Sequence, residues 1–264
     1  MSVSLDLELN SLEFEVLWEH LQLGDKPTEL NTLSHGASDE ERAHFRRRAW
    51  DSLEQKGRAE DGRLDVELED LLGLLARPNR SIDVRFSWRV GENMEKVLPE
   101  VKALCSAVGD TGVLAVHDGD RYRFGWIRST GLAPAAAGLL PQGPPGRIPS
   151  VTLAADVLEE AVTQAAEQGP LFQRILVGRG IRPEDAKLLW EIGDADRTLF
   201  AQFGATARDQ YGRNNRAEGV LNVFDIPAGR CASRERGGWI NFFGADHRKV
   251  AEQLDKMLLE VAER

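Results

Sequence analysis

Two pairs of similar segments recur in the same order on either side of a proline- and glycine-rich stretch. Arg80–Phe86 (RSIDVRF) resembles Arg197–Phe203 (RTLFAQF), and Gly112–Asp118 (GVLAVHD) resembles Gly219–Asp225 (GVLNVFD). One short apolar match can arise by chance, but two matches in the same order indicate an internal duplication. The sequence therefore predicts a single domain over residues 1–264, made of two similar halves.

The predicted boundaries follow from a change in composition between the halves. From Gly131 to Pro149, prolines and glycines interleave with alanine. Because this composition disfavours regular elements, residues 131–149 are predicted to form a linker without a helix or strand. The first half then covers residues 1–130, and the second half covers residues 150–264.

Alternation and capping motifs predict the elements of each half. A strand over residues 3–9 leads into a helix that ends near Leu21, and Ser38 with Glu41 forms a capping box for a helix that ends near Gln55. Further helices are predicted at about 64–76, 93–108, 156–167, from Pro183 to about 192, and from Asp246 to the end. Strands are predicted at 82–90, 112–117, 121–128, 150–154, 197–208, 219–226, 229–235 and 238–243, with a hairpin turn at Asp118-Gly119.

This order of elements predicts an α+β fold. Duplicated α+β halves commonly join their sheets about a pseudo-twofold axis. We therefore expect a central antiparallel β-sheet with helices gathered into two helical subdomains, related by a pseudo-twofold internal duplication.

The strands near the end of the chain indicate a surface for a protein partner. Val220–Phe224 and Trp239–Phe243 carry apolar side chains at both odd and even positions, so both faces of this part of the sheet must be covered. Helices of the chain could cover both faces, or part of the apolar surface could await a partner. The predicted partner-binding residues are Phe203, Asn222, Phe224, Ile226, Trp239, Asn241 and Phe243. Some of them must belong to the core, because alternate residues of a strand face opposite ways.

The polar loop Asp209–Glu218, between two of these strands, is predicted to be a mobile hairpin tip.

Catalytic and metal-binding motifs are not found in the sequence. The histidines form no HxH, HxxxH or HExxH pair, and neither a nucleophile elbow nor a phosphate-binding loop occurs. Cys105 is predicted to lie in the core on an amphipathic helix. The sequence therefore contains no local motif for catalysis or for binding a metal or cofactor.

Composition further restricts the partners and the location. A net charge of −10 argues against nucleic acid and against an anionic membrane surface. The apolar runs are too short to span a bilayer, and the N-terminal residues do not form a secretory leader. We expect a cytoplasmic protein without membrane insertion.

Several short motifs, in order along the chain, resemble the EspG family of mycobacterial type VII (ESX) secretion chaperones. They are residues 12–19 (LEFEVLWE), 23–27 (LGDKP), 48–53 (RAWDSL), 75–78 (LARP), 225–230 (DIPAGR) and 238–246 (GWINFFGAD), followed by a closing helix. Ile226 stands where the family often has threonine, and Gly244 stands where proline is common. These two departures leave open which ESX system the protein serves.

The resemblance implies a cytosolic specificity chaperone that is not an enzyme. Such proteins bind PE–PPE heterodimers at the apolar tip of the PPE helical bundle, keep that tip from aggregating and direct the pair to one secretion system. Contact with the ESX secretion machinery would be indirect, and the free chaperone would be a monomer or weak dimer. The family fold is a central sheet with two helical subdomains related by a pseudo-twofold.

Two other functions are consistent with the residues alone. One is an enzyme whose site is assembled from distant residues, which a pocket with strongly shifted carboxylate or histidine pKa values would favour. The other is a regulatory homodimer in which the second-half sheet packs against a second copy of the chain.

Overall fold

The computed structural model describes residues 3–31, 34–90 and 96–262. In the first half, a strand and a group of helices precede a run of strands. The elements are β1 (Leu7–Asn10), α1 (Ser11–His20), α2 (Asp39–Gln55), β2 (Ala59–Glu60), β3 (Arg63–Leu64), α3 (Val66–Ala76), β4 (Arg80–Val90), β5 (Lys96–Val97), β6 (Val101–Val108), β7 (Thr111–Asp118), β8 (Arg121–Arg128) and α4 (Leu132–Ala137).

The second half has the same order of main elements. These are β9 (Val151–Ala154), α5 (Ala155–Ala165), α6 (Gly169–Gly178), α7 (Pro183–Asp194), β10 (Leu199–Arg208), β11 (Asn214–Arg216), β12 (Leu221–Ile226), β13 (Gly229–Arg236), β14 (Trp239–Gly244) and α8 (His247–Ala262). In each half, a strand and three helices precede four long strands and a final helix. Two single-turn 3₁₀ helices, Thr28–Leu30 and Ser129–Gly131, complete the described structure.

Within the described residues, twelve strands form one antiparallel sheet. Its order is β1-β8-β7-β6-β4-β10-β12-β13-β14-β9, with β5 paired to β4 and β11 paired to β10. The two halves meet at β4 and β10, where Val84 lies opposite Phe203. The predicted α+β class and the central antiparallel sheet are confirmed.

The strand order bears on the predicted duplication in two ways. Arg80–Phe86 lies in β4, and most of Arg197–Phe203 lies in β10, on either side of the centre. Gly112–Asp118 lies in β7, third from its end of the sheet, whereas most of Gly219–Asp225 lies in β12, fourth from the other end. That second match therefore does not join equivalent strands, contrary to our expectation. The duplication itself, with its division at 131–149, stays a prediction.

One face of the sheet is covered by α4 and α8, and we call it the α8 face. Apolar residues of β4, β6, β10 and β12 pack there against both helices. On α8 the buried residues are Val250, Leu254, Met257, Leu258 and Val261, which is the predicted apolar stripe. Fully burying one such side chain contributes about 1.5–3 kcal/mol, so this stripe accounts for much of the attachment of α8.

Two helical clusters cover the ends of the opposite face. Helices α1, α2 and α3 pack over β1, β6, β7 and β8, and helices α5, α6 and α7 pack over β9 and β14. The central strands β4 and β10 lie between these clusters. The arrangement matches the two helical subdomains predicted from the sequence.

The predicted capping box of α2 is confirmed, and α1 begins with a second one. The side chain of Asn10 accepts a hydrogen bond from the backbone of Glu13 at the start of α1, and Ser38 accepts one from Glu41 at the start of α2. In each case the glutamate side chain accepts a hydrogen bond from the backbone N–H of the capping residue. The two bonds pair amide groups that the start of a helix otherwise leaves unpaired.

The helix predicted at 93–108 is wrong over the part that the structure describes. Residues 101–108 form β6, with Ala103, Cys105 and Ala107 in the α8-face core and Leu104 in the core beneath α1–α3. Because both faces of β6 are buried, its sequence is apolar throughout and lacks the alternation typical of a strand. Residues 91–95 lie outside the described residues.

The linker prediction is wrong for its first part. Residues 132–137 form α4, and Leu132, Ala133, Ala136 and Ala137 are buried in the main core. Pro134 is compatible with this helix because it occupies the first turn, where the missing N–H would have no partner in the helix. None of the described helices is both long and apolar enough to span a membrane.

Candidate functional site

The seven predicted partner-binding residues lie on both faces of the sheet. Phe203 and Phe243 belong to the core under α4 and α8. Phe224 and Ile226 face the other way and are buried with Ile192 and Cys231. These four apolar side chains are part of the core, so they are not exposed on the surface of the chain.

The other three predicted residues reach solvent, at separate places. Asn222, on the face opposite α8, accepts a hydrogen bond from Nε2 of Gln202 at 2.9 Å. Asn241 and Trp239 lie on the α8 face of β14; Oδ1 of Asn241 accepts a bond from the Ser150 hydroxyl at 2.9 Å, and Trp239 is 58% exposed. The structure therefore does not bring the seven residues together into one site.

Sequence reasoning missed Phe200, which is the exposed aromatic residue nearest to the buried Phe224. Phe200 pairs directly with Phe224 across β10 and β12 and is 37% exposed. The sequence could have predicted this exposure, because Phe200 and Phe203 are three residues apart on one strand and must face opposite ways. Placing one of them in the core leaves the other on the opposite face.

A groove between α5, α7 and β14, which we call the apolar groove, lies on the same face of the sheet as Phe200. Its volume is about 560 Å³, within the usual range for binding clefts. Apolar side chains line most of it, and charged groups stand at its rim. The lining includes Leu158, Val162, Phe172, Leu189, Trp190 and Phe242, and the rim includes Glu167, Asp194 and Arg197.

Two local features set the shape of the apolar groove. A Cβ at Gly169, the first residue of α6, would lie 2.6 Å from the Trp190 ring, so only glycine lets α6 pack this close to α7. On the other side, the Arg197 guanidinium lies 5.0 Å from the centre of the Phe224 ring, a cation–π distance. Arg197 therefore joins the rim of the groove to the strand pair that carries Phe200.

The surface between the two helical clusters is polar. Arg85 of β4 pairs with Glu29 at 3.1 Å, and Asp83 pairs with Arg216 at 2.6 Å. Asn222 and Gln202 continue this polar strip beside Phe200. An apolar anchor site ringed by polar groups is the arrangement common in protein–protein interfaces.

The two thiols are not available as nucleophiles. Burial raises the pKa of Cys105 to about 12, and burial together with Asp225 raises the pKa of Cys231 to about 11. Among the described residues, no cluster of three His, Cys, Asp or Glu side chains could hold a metal ion. The second half presents an apolar groove, an exposed phenylalanine and a polar rim.

Comparisons with known proteins agree with this description. A family model described as the EspG family matches residues 10–256. No curated protein matches the chain. Among solved structures, the Mycobacterium tuberculosis type VII secretion system chaperone EspG5, in complex with a PE25-PPE41 dimer, is similar in fold, with a TM-score of 0.75 and 16% sequence identity. The likeness covers 97% of this chain and 96% of that one. Because the family match extends over nearly the whole sequence, this chain belongs to the EspG family.

Proposed function

We propose that the protein is a cytoplasmic chaperone of type VII (ESX) secretion that binds PE–PPE heterodimers at the apolar tip of the PPE protein. The observation that carries the proposal is the apolar groove on a chain of the EspG family, with its rim residue Arg197 over Phe224, the cross-strand neighbour of the exposed Phe200. The fold likeness to EspG5, which was solved with a PE25-PPE41 dimer, supports the choice of partner.

The proposed contact places the apolar tip against Phe200, Val162 and Trp190. Val162 is 56% exposed on α5, so a partner would remove a large apolar area from water there. Asn222 and Gln202 would meet polar backbone groups at the edge of the tip. A few such anchors in a polar surround supply most of the affinity of typical interfaces.

The chaperone effect follows from the same contact. An exposed apolar tip on a helical bundle favours self-association, and covering it removes that surface until the complex is released. This protection of the tip requires only binding, without a cofactor or a chemical reaction. Contact with the secretion machinery would then be indirect, through the bound pair.

The test is co-expression with candidate PE–PPE pairs, followed by co-purification with wild type and two variants. Val162→Glu puts a charge into the apolar groove, whereas Val177→Glu changes an exposed valine of α6 that does not line it. We expect Val162→Glu to abolish co-purification and Val177→Glu to leave it intact, with both variants folded. Equal binding by the two variants would overturn the placement of the site. Failure of wild type to retain any PE–PPE pair would overturn the function.

A further inference from the structure

We propose that a second groove, on the α8 face, binds an acidic peptide segment of a protein partner. This groove lies on the opposite face of the sheet from the apolar groove, and the argument for it does not depend on the identity of the client. We call it the basic groove. Its volume is about 510 Å³, and it lies between α8 and the outer strands β13, β14 and β9.

The floor of the basic groove is built by the strand register. Arg236 lies beside Trp239, Arg234 lies beside Asn241, and Asn241 in turn lies beside Thr152. All five side chains line the groove. The floor therefore combines two guanidinium groups, an exposed indole, an amide and a hydroxyl in two adjacent rows.

One stripe of α8 forms the wall. Lys249, Gln253, Lys256 and Glu260 follow the i, i+4, i+7, i+11 spacing of a single helix face, next to the buried stripe that packs on the sheet. The two lysines thus stand on the same side of the groove, about two helical turns apart.

The basic groove carries four cationic side chains and one carboxylate, in a chain whose net charge is −10. That carboxylate, Glu260, binds both Arg234 at 2.5 Å and Arg236 at 3.0 Å. Arg234 is only 8% exposed, and among the described residues its buried Nε has no hydrogen-bond partner. The Arg236 side chain, by contrast, is 61% exposed, so the groove presents accessible positive charge that favours an anionic ligand.

The corresponding surface at the other end of the sheet is covered by the chain itself. A Cβ at Gly125 of β8 would lie 2.1 Å from the carbonyl oxygen of Ser4, because residues 3–5 pass directly over the strand. Val3 and Leu5 pack into the core beside it. On β14, by contrast, Trp239 remains 58% exposed. The open end is the one that carries the basic groove.

The chemistry of the lining favours a carboxylate-bearing peptide. Guanidinium and ammonium groups bind carboxylates in charge-assisted hydrogen bonds, and Arg favours the bidentate form. Trp239 adds a flat apolar surface, and Asn241 and Thr152 can bond to peptide backbone. A single small anion would use the charges but neither the indole nor the amide.

The experiment uses a fluorescein-labelled ten-residue peptide of alternating glutamate and serine, with a second peptide that has glutamine in place of glutamate. Binding to the full chain is followed by fluorescence anisotropy at low salt. We expect the acidic peptide to bind and the neutral one to bind at least about tenfold more weakly. We also expect binding to weaken as salt rises, since salt screens exposed charges.

Two double variants separate the basic groove from the general charge of the protein. Lys249→Glu with Lys256→Glu reverses two charges of the wall, whereas Lys187→Glu with Arg248→Glu reverses two charges that do not line the groove. We expect a loss of at least about tenfold for the first pair and less than about twofold for the second. Trp239→Ala should weaken binding of the acidic peptide. The concentration of inorganic phosphate that inhibits peptide binding should not change.

Two results would overturn the proposal. The first is equal binding of the acidic peptide to the two double variants, with melting temperatures showing that both are folded. The second is full displacement of the peptide by inorganic phosphate at equal concentration, which would indicate a simple anion site.

Discussion

Phe200 and Phe224 lie directly opposite each other on β10 and β12, yet Phe200 is 37% exposed and Phe224 only 3%. The difference arises because Phe224 is packed against Ile192 and Ile226 and covered by Arg197, whereas Phe200 lies nearer the open strip between the helical clusters. Two phenylalanines on the same face of the sheet thus lie in different environments. This pair separates a core residue from a candidate anchor.

The first prediction uses that pair. Phe200→Asp should leave the melting temperature nearly unchanged and weaken PE–PPE binding by about 2 kcal/mol or more, the usual threshold for an interface anchor. Phe224→Asp should lower the melting temperature and binding together, because it buries an unpaired carboxylate. Thermal unfolding and co-purification of both variants are the measurements. If Phe200→Asp binds as wild type does, the central strands are not part of the client site.

The sequence predicted the elements best where local chemistry decides them. The capping box of α2 and the hairpin turn after Asp118 are set by residues within a few positions of each other, and both are present. The helix predicted for residues 101–108 was wrong because β6 is covered on both faces by helices that are distant in the sequence. Its residues are therefore apolar throughout and do not show the alternation of a strand. Alanine-rich α4 was missed for the same reason, since it is stabilised by packing against α8.

The candidate site was predicted less well, because register decides which face a side chain takes. The sequence placed aromatic residues on the correct strands, but it could not assign Phe203 and Phe243 to the core under α8. The apolar groove depends on how α5 and α7 pack, which no single segment encodes. Trp239 and Asn241, which were also predicted to bind a partner, lie in the basic groove on the other face.

The second prediction concerns the buried ion pair between Asp225 and Arg230. Nε and Nη2 of Arg230 donate to the two carboxylate oxygens at 2.7 and 2.8 Å, and Nη2 also donates to the carbonyl of Pro141 at 2.8 Å. Asp225→Ala leaves a fully buried guanidinium without its counter-charge, which costs about 3–5 kcal/mol of the free energy of unfolding. Urea denaturation measures the loss.

Two further variants control for this effect. Replacing both members, as in Asp225→Asn with Arg230→Met, should recover part of the lost stability, because no charge is then left buried. Arg248→Ala removes an exposed pair with Glu252 and should have no measurable effect. A double variant less stable than Asp225→Ala would contradict the role assigned to the pair.

The third prediction is a pH dependence centred on Glu15. Burial alone would raise its pKa, but hydrogen bonds from Ser34 and His35 and the charge of Lys26 outweigh burial, so the pKa lies below its ordinary value of 4.5. A carboxyl with a lowered folded-state pKa contributes stability above pH 4.5 and loses that contribution as pH falls through the folded-state value. Between pH 7 and 3, Glu15→Gln should therefore flatten the decline of the melting temperature. Glu19→Gln, on the exposed side of α1, should not; equal slopes for wild type and Glu15→Gln would refute the assignment.

The fourth prediction concerns the thiols. With pKa values of about 12 for Cys105 and about 11 for Cys231, almost no thiolate forms at pH 8, and both sulfur atoms are buried. The native protein should not react with a disulfide reagent such as DTNB over minutes, whereas the protein in guanidinium should release two equivalents. Rapid reaction of one thiol in the native state would show that a strand of the sheet opens locally.

The last prediction returns to the loop Asp209–Glu218, whose mobility stays a prediction. Its base is held in place: β11 pairs with β10, and Arg216 forms a bidentate pair with Asp83 at 2.6 and 2.9 Å. At its tip, Tyr211 is highly exposed, and the Asp209 carboxylate accepts hydrogen bonds from the backbone N–H groups of Tyr211 and Arg213 within the loop. We expect fast amide exchange at residues 210–212 and slow exchange at 206–208, since only the latter lie between two strands.

Asp83→Ala should release the base of the loop and speed amide exchange at residues 214–216. The control Asp156→Ala, an exposed change on α5, should not. If a bound PE–PPE pair slows exchange at 210–212, the tip belongs to the client interface; unchanged exchange there would confine the interface to the apolar groove and the central strands.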